Sequence, residues 1–112
     1  MRERRAFVRH QPSQELLCKV NVVLGGSYWT ARVGDISTDG IGIISDSWLP
    51  AETTLVVEVR HPASSDCRTL LAHLCHATRR PSSDYQLGAR VINHLTEEQV
   101  GALIEPPANV GK

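Results

Sequence analysis

The sequence predicts an all-β fold, a small antiparallel barrel or sandwich, that ends in one short helix. Apolar residues recur in short segments, and Gly-, Pro- and Ser-containing turns separate these segments. Helical periodicity occurs only near the C-terminus. With 112 residues and 41% apolar composition, the chain can form one modest core but is too short for a second folded domain.

The first three predicted strands follow one another closely. Five apolar side chains alternate along one face of the first strand, before the turn Gly25-Gly26: Leu16, Cys18, Val20, Val22 and Leu24. Three apolar side chains share the inner face of the second strand: Trp29, Ala31 and Val33. This strand leads into Asp35 and a turn, and Ile41 to Ser45 forms the third strand.

Three further strands are predicted after Pro50. The fourth runs from Leu55 to Arg60, the fifth from Leu70 to Thr78 and the sixth from Tyr85 to Asn93, with Pro81 to Asp84 as a hairpin loop. Alternation along the fifth strand places four residues on one face: Leu70, Ala72, Leu74 and His76. Because no helix separates these strands, we expect antiparallel pairing throughout.

A helix start signal follows the last strand. Thr96 suits the N-cap position and Gln99 the third helical position, which together make a capping box, while Leu95 and Val100 are spaced as a hydrophobic staple. The apolar stripe of this helix is formed by Val100, Leu103 and Ile104, and Pro106-Pro107 ends it. We therefore expect a flexible, arginine-rich arm over residues 1–12, a barrel with its helix over 13–107 and a tail over 108–112.

Composition narrows the class of partner. The net charge is zero, which disfavours a protein that holds DNA or RNA by its overall field. The arm nevertheless has four arginines against one glutamate over residues 1–9, a local charge of +3 that suits a small anion. No apolar run approaches 18 residues and no signal peptide is evident, so we expect a cytoplasmic protein without a membrane span. Its three cysteines are then expected to be reduced.

Two short segments have the chemistry to recognise a guanine nucleotide. Arginine forks in Arg4 to Arg9 match phosphate oxygens or the O6 and N7 acceptors of guanine, and the Asp35 carboxylate can accept hydrogen bonds from the N1 and N2 donors. Ser37 can contact phosphate or cap its own turn, and Gly40 permits positive φ or a close backbone approach. Each segment alone has a simpler explanation, as a solvated tail or as an ordinary Asx or ST turn.

The two segments together resemble a known family. Glu3 to Arg9 resembles the RxxxR motif of the PilZ domain family, and Asp35 to Gly40 resembles its [D/N]xSxxG motif. Leu87 to Val91 also resembles a strand that is often Gly-x-x-Phe-like in this family. The resemblance extends from residue 3 to about residue 104, and its motifs occur in the family's order within a β-rich chain.

Membership would imply a six-stranded antiparallel β-barrel with a C-terminal helix that binds cyclic di-GMP. The RxxxR arginines map onto Arg5 and Arg9, and the preceding arginine maps onto Arg4, which gives the hypothesis that the ligand is an intercalated pair. The second motif contributes three ligand-binding positions: Asp35, Ser37 and Gly40. His76 is a secondary contact by the same resemblance, since some members stack an aromatic residue on guanine there.

The resulting expectation is a single-domain receptor that is not an enzyme and needs no cofactor apart from cyclic di-GMP as its ligand. Ligand would draw the arm from Met1 to His10 over the barrel, with Phe7 packing against it, and the ordered arm would signal to a separate, unidentified effector protein. The alternative is a PilZ-type interaction adaptor, for example of a signalling kinase, with weak or no nucleotide binding. Intact arginines and an intact second motif favour the receptor.

Other classes of function find less support. RNA-binding barrels present aromatic platforms in a positive groove, whereas this chain has few aromatic residues. A metal site would draw on scattered ligands without CxxC or HxxxH spacing: His61, Cys67, His73, Cys75 and His76. No P-loop, GxSxG or complete dinucleotide fingerprint occurs, so catalysis is not expected.

Overall fold

Six strands and one helix form the part of the chain that the computed structural model describes, residues 9–12, 14–23, 27–61 and 67–104. The elements are β1 (Leu17–Val22), β2 (Tyr28–Ile36), β3 (Gly40–Ser45), β4 (Thr54–Arg60), β5 (Cys67–Arg79), β6 (Tyr85–Val91) and α1 (Glu97–Ile104). All neighbouring strands are antiparallel, and the order β1-β2-β3-β6-β5-β4 closes by pairing β4 with β1. The predicted six-stranded barrel is confirmed, and closure removes exposed strand edges.

The core fills the inside of this barrel with the alternating apolar residues. Leu16, Cys18 and Val20 are buried as predicted, and Ala31 and Val33 extend the same core from β2. Leu24 and the turn Gly25-Gly26 lie outside the described residues. Each fully buried aliphatic side chain contributes about 1.5–3 kcal/mol, so this alternating pattern supplies most of the driving force for closure.

Two β-bulges change which face of the sheet some residues occupy. The register between β2 and β3 shifts between Val33 and Asp35, and the register between β5 and β6 shifts between Leu74 and His76. The sequence-based assignment of His76 to the face of Leu74 was therefore wrong, because one extra residue inverts the alternation. Leu74 is fully buried, whereas His76 is exposed on the outside of the barrel.

Helix α1 begins with the predicted capping box. The Thr96 amide donates to Gln99 Oε1 at 2.9 Å, and the Gln99 amide donates to Thr96 Oγ1 at 3.0 Å. Its apolar stripe is buried against the barrel: Val100, Leu103 and Ile104. Leu95 is buried too, in agreement with the predicted staple, while Pro106-Pro107 and the expected tail lie outside the described residues.

Backbone hydrogen bonds connect the β2–β3 turn to the segments on either side of the barrel. His10 forms a two-way bridge with Ile36, with both N···O distances at 2.9 Å. The Thr38 carbonyl accepts from the Leu95 amide at 2.8 Å, and the Asp39 carbonyl accepts from the Val91 amide at 2.7 Å. This turn therefore contacts both the end of the arm and the chain leading into α1. No helix in the described ranges is long and apolar enough to cross a bilayer.

Candidate functional site

A cleft of about 600 Å³ lies on the outer face of the barrel, across β2, β3, β6 and β5. One continuous row of paired residues crosses it in strand order: Asp35, Gly42, Gly88 and His76. Both β-bulges lie at this row, and they turn Asp35 and His76 outward at its two ends. The cleft is thus a consequence of barrel topology combined with two local irregularities. Its volume is typical of small-molecule sites.

Glycines occupy the two central positions on the floor of the cleft, and the side chains of the two end residues lie over them. A Cβ atom at Gly42 would lie 2.6 Å from Asp35 Oδ1, and a Cβ atom at Gly88 would come closer than 3.0 Å to the His76 ring. Real Cβ contacts essentially never fall in this range, so both end residues lie directly over the glycines. The glycines therefore let a carboxylate and an imidazole lie close against the sheet, side by side along the row.

Arg9 and Asp35 form an ion pair at one end of this row. Their side chains are 47% and 25% exposed, and pairs with such access to water contribute only about 0–1 kcal/mol to folding. The pair thus contributes more to the geometry of the cleft than to stability. Gly40 makes room for it, since a Cβ there would lie 2.6 Å from an Arg9 guanidinium nitrogen. Close approach, and not a positive φ, is the reason for glycine at position 40.

Ser37 lies beneath the turn and does not line the cleft. Its side chain is 1% exposed, and its hydroxyl lies 3.3 Å from Asp39 Oδ1 and 3.4 Å from the Gly40 carbonyl oxygen. The Ser37 amide donates to the same carbonyl at 2.8 Å. Of the two roles that the sequence suggested, the contacts are those of a turn cap.

His76 forms the opposite end of the cleft, beside Cys75. Its ring rests over Gly88, and the residue is exposed, so one side of the imidazole remains available to a planar group. Sequence reasoning thus found a residue that does line the cleft, although it placed this residue on the wrong face of the strand.

Three polar residues of the cleft were missed by the sequence analysis: Asp39, Gln86 and Arg90. Gln86 and Arg90 flank Gly88 on the outer face of β6, where the inner face is taken by buried Leu87, Ala89 and Val91. Two-residue alternation along this strand was the available signal. What it did not show was that the outer face of β6 belongs to the same surface as Asp35.

The remaining predicted site residues, Arg4 and Arg5, lie outside the described residues, as does Phe7. The expectation of a loosely held arm does not apply to Arg9 and His10, because one is ion-paired to Asp35 and the other is hydrogen-bonded to Ile36. Ligand-dependent ordering stays a prediction for residues 1–8.

The cysteines and histidines do not assemble into a further site in the part of the chain that is described. There, no group of three or more His, Cys, Asp or Glu side chains is arranged to hold a metal ion. Cys67 and Cys75 are exposed free thiols, whereas Cys18 is a buried one. Burial raises the pKa of Cys18 to about 12, so its thiol is protonated and unreactive near neutral pH.

Comparison with known proteins identifies the family. The family model described as the PilZ domain matches residues 3–105. This chain belongs to the PilZ domain family. The match includes both the arginine arm and the Asp35 to Gly40 turn. No curated protein matches the sequence significantly.

Solved structures share the PilZ fold at low sequence identity. MotI (DgrA), the inhibitor of motility of Bacillus subtilis, superposes with a TM-score of 0.68 at 19% identity, over 91% of this chain and 48% of that chain. The PilZ domain of YcgR from Escherichia coli, solved with c-di-GMP, superposes with a TM-score of 0.63 at 16% identity, over 90% and 86% of the two chains. This chain therefore spans about half of the length of MotI and most of the YcgR domain.

Proposed function

We propose that this PilZ domain is a receptor for cyclic di-GMP that passes its signal to a partner protein. One observation carries the proposal: the fold brings Arg9 of the first motif and Asp35 of the second into contact at one end of the cleft, with Asp35 lying over Gly42. Arg9 offers a donor fork and Asp35 offers acceptors, so the pair can serve both hydrogen-bonding edges of a guanine. The YcgR domain solved with c-di-GMP supports the choice of ligand.

The planar base would lie along the row from Asp35 to His76. Glycines at positions 42 and 88 let the Asp35 carboxylate and the His76 ring lie close against the sheet, and the imidazole supplies a stacking surface at the far end. Arg4 and Arg5 would close over the ligand from the arm, with Arg4 accommodating a second, intercalated molecule. Ser37 would act through the turn, whose shape places Asp35 and Asp39 at the edge of the cleft.

The hydrogen bonds of the β2–β3 turn provide a route from ligand to partner. Thr38 and Asp39 hold the segment that leads into α1, and the His10 imidazole lies 3.9 Å from a Glu97 carboxylate oxygen. A ligand that shifts Arg9 or the turn would thereby alter the surface formed by the arm and the first turn of α1. That surface is where we expect the partner to bind.

Calorimetric titration of the protein with cyclic di-GMP tests this function. We expect saturable binding, with Arg9→Ala weakening it by about 1–3 kcal/mol, or about 5- to 150-fold, through loss of a bidentate guanine contact. Arg60→Ala, which removes an exposed arginine from the outer face of β4 away from the cleft, is the matched control. Arg4→Ala should lower the stoichiometry from two ligands to one.

A titration of the wild-type protein that stays flat at high micromolar ligand would refute the receptor. The chain would then be better described as an interaction adaptor of the PilZ type. Pull-down of partners with and without cyclic di-GMP separates the same two functions, because only a receptor should change its partners with ligand.

A further inference from the structure

The Arg90 side chain, which belongs to neither sequence motif, lines the same cleft from β6. In the sheet, Arg90 pairs with Gly40 of β3 on one side and with His73 of β5 on the other. Outward alternation on β6 places Arg90 two residues from Gly88, so it stands about 7 Å along the strand from the centre of the floor. It therefore lies beside the row of paired residues that crosses the cleft.

Arg90 differs from Arg9 in what it contacts. Arg9 is ion-paired with Asp35, whereas within the described ranges the guanidinium of Arg90 has neither an ion pair nor a hydrogen bond. The residue is also exposed. All its donors are therefore available to an incoming acceptor at the rim of the cleft.

The charge balance of the cleft depends on this residue. Its described lining has two arginines, Arg9 and Arg90, and two aspartates, Asp35 and Asp39. Without Arg90 this lining would have a net charge of −1 and would repel an anionic ligand; with it the lining is neutral, and its one unpaired cation lies on β6. A ligand that combines planar bases with phosphates suits this arrangement, because a base can stack on the His76 ring while its solvated phosphates stay near Arg90 at the rim of the cleft.

We propose that Arg90 is the phosphate-binding residue of this cleft, supplied by β6 and independent of the arginine arm. The inference rests on the proposed function, because it assigns a part of the same ligand. It adds a fixed cation on a strand of the barrel to the cations of the arm.

The test is calorimetry with cyclic di-GMP on the full chain and four variants. Arg90→Ala and Arg90→Gln should each weaken binding by about 10- to 150-fold, as expected for loss of a charge-assisted hydrogen bond. Arg90→Lys should keep most of the affinity, because a phosphate accepts a point charge. Arg60→Ala, at an exposed strand position away from the cleft, should bind as the wild type does.

Other results of this titration would refute either the role of Arg90 or the proposed receptor function. If the wild-type protein binds cyclic di-GMP and Arg90→Ala binds it equally well, Arg90 is not part of the site, but the proposed receptor function stands. Equal losses for Arg90→Lys and Arg90→Gln would refute the phosphate assignment, since charge alone would then be insufficient. A wild-type protein that does not bind would refute the proposed function together with this inference. Circular dichroism of each variant is the control that checks whether the barrel is folded.

Discussion

Replacing Gly88 by alanine should displace the His76 ring with little effect on the barrel. The added Cβ atom would lie closer than 3.0 Å to ring atoms of His76, so one of the two must move. The ring is the far end of a flexible, exposed side chain, whereas the Gly88 backbone is paired on both sides within the sheet. We therefore expect the imidazole to swing away from the floor of the cleft.

The expected magnitudes separate stability from binding. Moving the ring to a less favourable rotamer costs about 0.5–1.5 kcal/mol, and the reduced backbone entropy of the unfolded state returns about 0.4–1 kcal/mol. The free energy of unfolding should thus change by less than about 1 kcal/mol. Loss of a stacking partner costs about 1–3 kcal/mol per base, and for an imidazole we expect the lower end, which is about a fivefold weaker affinity.

A double-mutant cycle between Gly88→Ala and His76→Ala measures this effect. If Gly88 acts through the ring, the alanine at position 88 should cost no further affinity once His76 is absent. Gly101→Ala is the matched control, because a Cβ there meets nothing within 4 Å and should leave binding unchanged. NMR shifts of the His76 ring protons report its displacement in Gly88→Ala without any ligand.

Two results would refute this reasoning. An equal loss of affinity from Gly88→Ala in the presence and absence of His76 would mean that the added methyl group meets the ligand itself. A loss of more than about 3 kcal/mol in unfolding free energy, the range of a seriously disrupted core, would mean that the strand moves and the ring does not.

Two further predictions concern stability and need no ligand. Thr96→Ala removes the hydroxyl that accepts from the Gln99 amide, so urea unfolding should show a loss of about 1 kcal/mol; an unchanged midpoint would mean that α1 does not depend on its cap. The second prediction concerns Cys18, whose pKa burial raises from 9.0 to about 12 in the folded state. Above about pH 9 the thiol is therefore deprotonated in the unfolded state but stays protonated in the folded state. Stability consequently falls as the pH rises. Urea unfolding between pH 8 and pH 10 should therefore show the wild type losing roughly 1 kcal/mol more than Cys18→Ala, and parallel pH profiles would contradict the assigned burial.

Local sequence patterns predicted the elements of this fold well. Alternation identified each strand to within a few residues, and the spacing of Thr96 and Gln99 identified the capping box that the structure contains. These signals are local because strand and helix periodicities arise from backbone geometry within a few residues. These local patterns left a barrel and a sandwich open; the family resemblance favoured the barrel, and the pairing of β4 with β1 confirmed it.

The alternation of apolar and polar residues did not predict the two β-bulges. A bulge inserts one residue without any required residue type, so alternation continued through Cys75 placed His76 on the same face as Leu74. The sequence analysis also did not predict the second bulge, between Val33 and Asp35 in β2. Only pairing with the neighbouring strands reveals these shifts, because they are defined by which residues oppose each other.

The sequence by itself determined the family and the chemistry of the candidate ligand site, since the arginine arm and the Asp35 to Gly40 turn are contiguous and their residue types are specific. The tertiary structure decided which side chains share one surface. It brought Arg9 to Asp35, placed His76 over Gly88 and added Arg90 from a strand outside the two ligand-binding motifs. The reason is geometric: a cleft across four strands is assembled from residues far apart in the chain, and strand order and register alone bring them together.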